Sequence, residues 1–283
     1  MFYQLSLITL IFLFFNNQLY VSGTISDAFY NFCVQRYGAP TAELLARKEL
    51  GVGGSIGGGL DGNVKRKPVI VVHGITNSAG TFAPTFTFFL NNGYNPNEVY
   101  GTTYGDAGQT NVLFVTMSCH YVKTIRILIQ AVADYTHSQV NIIGVSMGSP
   151  IARKAILGGI CVDTGEQVGP PMTGLIDTFV GVAGANFGSF LCVLPFGSCN
   201  ANNGMSCGSR FLADVNAAAR YEGSKIFTIY SQNDDKVGYV ACGRKASEIT
   251  GQNQAFEQAG MNHDQVIFNT IQLQYNLVTH GHA

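Results

Sequence analysis

Apolar and polar positions along the chain fall into alternating blocks. The run "KPVIVVHG" (67–74) is continuously apolar and β-branched and ends in a turn residue. That is the pattern of a strand buried on both faces of a parallel sheet. "QVNIIGV" (139–145) repeats it, "LIDTFVGVAG" (175–184) and "KIFTIYS" (225–231) read as further strands, and "VYGTTY" (99–104) is a weaker one. Helical patterns lie between them. Val122, Ile125, Ile129 and Val132 follow helical spacing, with Lys123, Arg126 and Gln130 interposed. In "MGSPIARKAIL" (147–157), Ile151, Ala155 and Ile156 are expected to face the sheet and Arg153 and Lys154 to face out, with Pro150 tolerated in the first turn. The tail is ambiguous: Ile267, Ile271, Tyr275 and Val278 suit a helix, yet "IQLQYNL" (271–277) alternates as a strand would. Strands alternating with helices predict an α/β domain with a mainly parallel sheet.

Ahead of this pattern, residues 24–50 read as partly helical around "TAELLARKEL", followed by "GVGGSIGGGL" with six glycines in the nine residues 51–59. Glycine at that density costs too much backbone entropy for a regular element, so a loop or linker is expected there. The organisation expected is a leader over 1–23, an N-terminal extension over 24–66 and the α/β domain over 67–283. The leader carries no charged side chain and holds one apolar run, Leu5 to Phe15. That run is too short to span a bilayer and fits a signal peptide, which makes the expected protein secreted and extracellular.

Composition narrows the classes. The 283 residues are 46% hydrophobic and 12% charged, with a net charge of −1, so the clustered positive surface that nucleic acid requires is not expected. All seven cysteines (33, 119, 161, 192, 199, 207, 242) lie beyond the leader. An oxidising compartment would allow up to three disulfides and leave one thiol, with Cys192, Cys199 and Cys207 the best cluster for a bridge. They lack paired C-x-x-C spacing and nearby histidines, so no metal site is expected.

Two stretches satisfy G-x-S-x-G, the pattern of a nucleophile elbow: "GGSIG" (53–57) and "GVSMG" (144–148). A chain this rich in glycine yields roughly a few tenths of a match by chance, so context must choose. Nothing resembling a buried strand precedes Ser55. Ser146 follows the strand "VNIIGV" and opens the helix "MGSPIARKAI", the order an elbow requires. Met147, next in the chain, could donate its N–H to a developing oxyanion, and Ile75 or Thr76 in the loop after "VIVVHG" a second. His73 lies upstream of the serine and is read as shaping that loop. The base is expected downstream, where His280 and His282 sit in the terminal "HGHA", leaving His263 in "GMNHDQVIF". For the acid, Asp234 and Asp235 directly follow "KIFTIYS", and spacing does not separate them; Asp163, Asp177 and Asp214 are less well placed.

These residues carry a family resemblance. "VIVVHGI", "VNIIGVSMGS", "KIFTIYSQNDD" and "NHDQV", in that order, resemble the class 2 lipases (EstA/EstB), and within them the secreted lipase-related proteins of nematodes. The similarity runs from about Lys67 to near the C-terminus. It implies a compact α/β-hydrolase fold of the minimal-lipase type, carboxylic ester hydrolysis and no required cofactor. By position it implies Ser146 as nucleophile, Asp234 rather than Asp235 as acid, His263 as base, and Ile75 and Met147 as oxyanion donors. Val145 stands where many lipases carry histidine. The substrate expected is a lipid or small ester, acylglycerol first. "FLCVLPF" (190–196) reads either as an apolar surface for lipid or as a core segment pinned by Cys192. A hydrolase fold kept only for lipid binding is the alternative, and an acyltransferase would use the same triad.

Overall fold

The computed structural model describes residues 23–283, so the expected leader lies, but for Gly23, outside the described residues. Among the described residues nine strands are formed: β1 Ser55–Gly57, β2 Val69–Val72, β3 Val99–Thr102, β4 Val140–Val145, β5 Ile176–Val182, β6 Lys225–Ser231, β7 Val240–Ala241, β8 Arg244–Lys245 and β9 Gln254–Gln258. The α-helices are α1 Asp27–Tyr37, α2 Ala39–Ala46, α3 Ala83–Asn91, α4 Cys119–Thr136, α5 Gly148–Leu157, α6 Arg210–Val215, α7 His263–Asn269 and α8 Ile271–His280. Seven strands make one sheet in the order β1-β3-β2-β4-β5-β6-β9, parallel throughout except for the antiparallel β1–β3 edge.

The continuous apolar runs are explained by cover on both faces. Ile70, Val72 and Ile142 pack with α1, α2, α4 and α5, while Val69, Val71, Ile143 and Val145 pack with α3, α7 and α8. A strand at the centre of such a sandwich has no solvent face on which a polar alternation could survive. This is a mainly parallel sheet flanked by helices, the α/β-hydrolase architecture.

Two expectations change, and one open alternative is resolved. The glycine-rich stretch is not a free linker: Ser55–Gly57 form the edge strand, and the Ser55 hydroxyl accepts the Ile25 N–H (3.1 Å) and donates to the Ala46 carbonyl (2.6 Å). Arg153 and Lys154 do not face solvent. The Arg153 guanidinium is fully buried against Glu222 (2.9 Å), and Lys154 reaches Asp214 (2.6 Å) and the Gly158 carbonyl (2.8 Å). The loop and short helix after β5 cover that side of α5, and a single-element pattern does not contain this information. The ambiguous tail is helical, as α7 and α8.

The disulfides are Cys119–Cys161, Cys192–Cys199 and Cys207–Cys242, with Cys33 a buried free thiol. One bridge thus falls within the cluster of three expected from sequence, while Cys207 pairs outside it. Among the described residues no helix is long and apolar enough to cross a membrane.

Candidate active site

Chain order and strand order together create the site. From β2 the chain moves outward to β3, then returns to place β4 on β2's other side. Loops leaving β2 and β4 therefore diverge, and a crevice opens between them at the carboxyl edge of the sheet. Gly74 and Ile75 lie in the first loop and Ser146 in the second. An added Cβ at Gly74 would sit 3.1 Å from the Ser146 Cβ, so the two loops touch.

Ser146 occupies the left-handed region at φ 52°, a conformation that a non-glycine residue adopts at a cost of roughly 1–3 kcal/mol. Its flanking glycines allow the turn. A Cβ on Gly148 would come 2.1 Å from the His73 carbonyl oxygen, and one on Gly144 2.8 Å from the Ser149 Cα. Helix α5 starts immediately after, and its N-terminal N–H groups lie beside the serine.

His263 opens α7, fixed by a reciprocal cap in which the Asn262 side chain accepts the Gln265 N–H and Gln265 accepts that of Asn262, both at 2.9 Å. Its Nε2 lies 3.1 Å from the Ser146 Oγ and its Nδ1 2.8 Å from the Asp234 Oδ2. Asp234 follows β6, and its Oδ1 accepts the N–H groups of Lys236 (2.9 Å), Val237 (2.8 Å) and Gly238 (3.3 Å). Burial pushes the Asp234 carboxyl up. The His263 bond and charge and the Lys236 and Val237 amides outweigh it and hold the group below the ordinary carboxylate value. An ionised Asp234 can only accept, so Nδ1 carries the imidazole proton and Nε2 is free to accept from the Ser146 hydroxyl. All three side chains are buried.

The structure thus separates the two aspartates that spacing left together. Asp235 faces elsewhere and accepts the His263 backbone N–H (3.0 Å). Asp177 pairs with Lys67 (2.6 Å), Asp214 with Lys154, and Asp163 accepts the Cys119 N–H (2.9 Å). None of the three reaches the imidazole. His73 uses both ring nitrogens on backbone: Nδ1 bonds the Gly74 carbonyl (2.7 Å) and Nε2 accepts the Tyr104 N–H (3.2 Å), with the ring stacked on Tyr104 at 3.9 Å. Burial drives its pKa down to about 4, against the upward pull of the Gly74 carbonyl. His73 is therefore a neutral strut. Ile75 follows in the next peptide, and Met147 stands at the N-terminus of α5.

Ser146 and His263 line a cavity of about 430 Å³ walled by Ile75, Leu113, Leu191, Phe196, Met205 and Ile267, within the usual range for small-molecule sites. A larger depression, about 710 Å³, lies along Leu157–Gly159 and Gly169–Pro171 and is lined by no serine, histidine or cysteine. Part of the surface around the first cavity is apolar and exposed, from Leu113, Phe114, Leu191, Val193 and Leu194, and the exposed Lys236–Asp264 ion pair (2.8 Å) also lines the cavity. Residues 107–119 and 178–209, which carry those apolar side chains, contain no charged residue. The core reading of "FLCVLPF" does not hold: Cys192 is bridged to Cys199, but none of the seven residues is buried, and Phe190, Leu191, Val193 and Leu194 are open to solvent because the bridge closes a surface loop. Sequence patterning missed the wall from 112–114, because that segment is a single short turn without periodicity.

The mainly parallel sheet, the elbow and the flanking helices define the α/β-hydrolase fold, with Ser146, His263 and Asp234 joined by hydrogen bonds at the switch point. The family follows from the sequence: the model of the class 2 lipases matches residues 66–276, and the chain belongs to that family. Among solved structures it is similar to lipase B of Aspergillus fumigatus, with 17% identity and a TM-score of 0.58, covering 83% of this chain and 57% of that one. It is also similar to the mature form of the Bacillus licheniformis lipase BlEst2, with 12% identity and a TM-score of 0.52, covering 76% and 92%. At these identities the likeness is one of fold, and this chain spans little more than half the length of the fungal lipase. Comparison with curated protein sequences finds no match.

Proposed function

We propose that the chain is a secreted serine hydrolase that cleaves carboxylic esters, acylglycerols foremost, through Ser146, His263 and Asp234. The observation that carries this reading is the continuous hydrogen-bond chain from Asp234 through His263 to Ser146, opening into an apolar cavity. His263 Nε2 takes the hydroxyl proton as Ser146 Oγ attacks the ester carbonyl, and Asp234 holds the imidazole and stabilises the imidazolium. The N–H groups of Ile75 and Met147 receive the oxyanion. The imidazolium then protonates the leaving alcohol, and a water activated by His263 releases the acid from the acyl-enzyme.

The exposed apolar side chains of Leu113, Phe114, Leu191, Val193 and Leu194 favour a lipid substrate, since a contiguous apolar surface beside a site is suited to meeting acyl chains, and the Lys236–Asp264 ion pair at the cavity lies outside these segments. Three disulfides, and a leader-like run before Gly23 in the sequence, favour secretion. The test is a Ser146→Ala variant assayed on soluble and emulsified esters of several chain lengths. Loss of turnover on every substrate is expected; undiminished turnover in the folded variant would exclude Ser146 as the nucleophile.

A further inference from the structure

Behind Ser146, on the side away from the cavity, lies a buried polar ring that the catalytic scheme does not use. The Ser146 carbonyl accepts two N–H groups, from Ser149 in the first turn of α5 (3.1 Å) and from Ala185 in the loop after β5 (3.2 Å). The same two segments are joined by side chains: the Ser149 hydroxyl donates to Asn186 Oδ1 at 2.9 Å. Asn186 is itself held, its Nδ2 donating to the Ser247 carbonyl (2.9 Å) and its own carbonyl accepting from Asn216 Nδ2 (2.8 Å). Asn216 Oδ1 accepts from Arg153 (3.0 Å), one turn along α5 from Ser149, which closes the ring. Ser149, Asn186 and Arg153 are fully buried. The space is reserved for this pair, since a Cβ on Gly184 would come 2.7 Å from Asn186 Nδ2 and 2.8 Å from the Ser149 hydroxyl.

The ring acts on one peptide plane. The Ser146 carbonyl and the Met147 N–H belong to the same peptide, and no peptide among the described residues is cis. In a trans peptide the C=O and N–H point in opposite directions. Clamping the carbonyl from behind therefore aims the Met147 N–H forward, to where the oxyanion develops.

We propose that Ser149 and Asn186 are positioning residues for the oxyanion hole: their hydrogen bond fixes the two donors that orient the Ser146–Met147 peptide. The inference rests on the reading of Ser146 as nucleophile and Met147 as donor. Its effect belongs to the transition state, because only there is the forward N–H fully engaged.

The test compares wild type with Ser149→Ala and Asn186→Ala, measuring kcat, KM and the rate constant for inactivation by a p-nitrophenyl alkylphosphonate, which loses p-nitrophenolate as Ser146 Oγ bonds to phosphorus and leaves its phosphoryl oxygen where the oxyanion would sit. Ser149→Ala is expected to lower kcat about tenfold with KM within twofold, and to lower the phosphonate rate constant by the same factor. Thr136→Val is the control, removing a buried bond to the Val132 carbonyl (2.7 Å) at the far end of α4. It should lower the Tm comparably and leave both rate constants unchanged. A folded Ser149→Ala protein with wild-type kcat and phosphonate reactivity overturns the inference, even if Asn186→Ala fails to fold. A folded wild type that does not react with phosphonate overturns instead the reading of Ser146, and the inference with it.

Discussion

Replacing Asp234 with asparagine probes the site through a single atom. Three backbone N–H groups, those of Lys236, Val237 and Gly238, converge on Oδ1. In Asp234→Asn the amide oxygen must take that position, because turning the NH2 toward three donors would leave them buried and unpaired, at about 1–3 kcal/mol each. The amide NH2 is then forced toward His263 Nδ1, now 2.8 Å from a carboxylate oxygen. A donor there requires Nδ1 to accept, so the proton moves to Nε2. The nitrogen facing Ser146 at 3.1 Å becomes a donor and can no longer take the hydroxyl proton. A wrong tautomer of this kind costs about 10⁴ in kcat in a serine protease triad, or about 5.5 kcal/mol of barrier. The same factor is expected here, measured on a soluble chromogenic ester with thermal unfolding as the check on folding. Asp235→Asn is the companion: an asparagine oxygen still accepts the His263 N–H, so its kcat should stay within about threefold. A folded Asp234→Asn protein retaining a tenth of wild-type activity would refute the tautomer argument.

Further predictions follow from the struts and the rim. His73 is neutral in the folded state, with a pKa near 4 against 6.5 unfolded. Its depressed value means the unfolded chain binds the extra proton first, so stability present above pH 6.5 is lost progressively as pH falls toward 4, by about 3 kcal/mol. Denaturant unfolding at pH 7 and 4.5 should show this loss, and His73→Gln should flatten it; parallel curves would contradict the assignment. Truncating one partner of the buried Arg153–Glu222 pair, as in Arg153→Met, should cost about 3–5 kcal/mol, while adding Glu222→Leu should restore most of it in the same unfolding assay. Val193→Asp or Leu194→Asp should cut turnover of emulsified ester severalfold, with soluble ester turnover unchanged and stability within about 0.5 kcal/mol. Equal losses on both substrates would show that the rim does not meet lipid.

The central strands were legible because burial on both faces leaves an unbroken β-branched run, as in Val69–Val72 and Val140–Val145. The elbow was legible for a related reason: the turn after β4 needs glycine at 144 and 148, and a strand and a helix must flank it. The glycine-rich stretch before β2 misled, since Ser55–Gly57, paired with β3 on one edge and bridged to Ile25 on the other, make a strand too short to show a period. Strand β9, "QAFEQ", also carried no signal, being half-exposed and bonded only to β6. Arg153 and Lys154 were read outward because helical periodicity sees one face of α5 and not the later loop that brings Glu222 and Asp214 over it. Within the site, spacing left Asp234 and Asp235 equivalent. The family resemblance favours Asp234, and the turn after β6, which folds three amides onto it, supplies the physical reason.

The most direct test of Ser146 as the nucleophile is covalent. Folded protein is incubated with the p-nitrophenyl alkylphosphonate, digested, and the adduct located by mass spectrometry. One adduct per chain is expected, on the peptide containing Ser146, with none in Ser146→Ala and a strong reduction in Asp234→Asn. A folded, unlabelled wild type, or an adduct on any other residue, Ser55 included, would contradict the account.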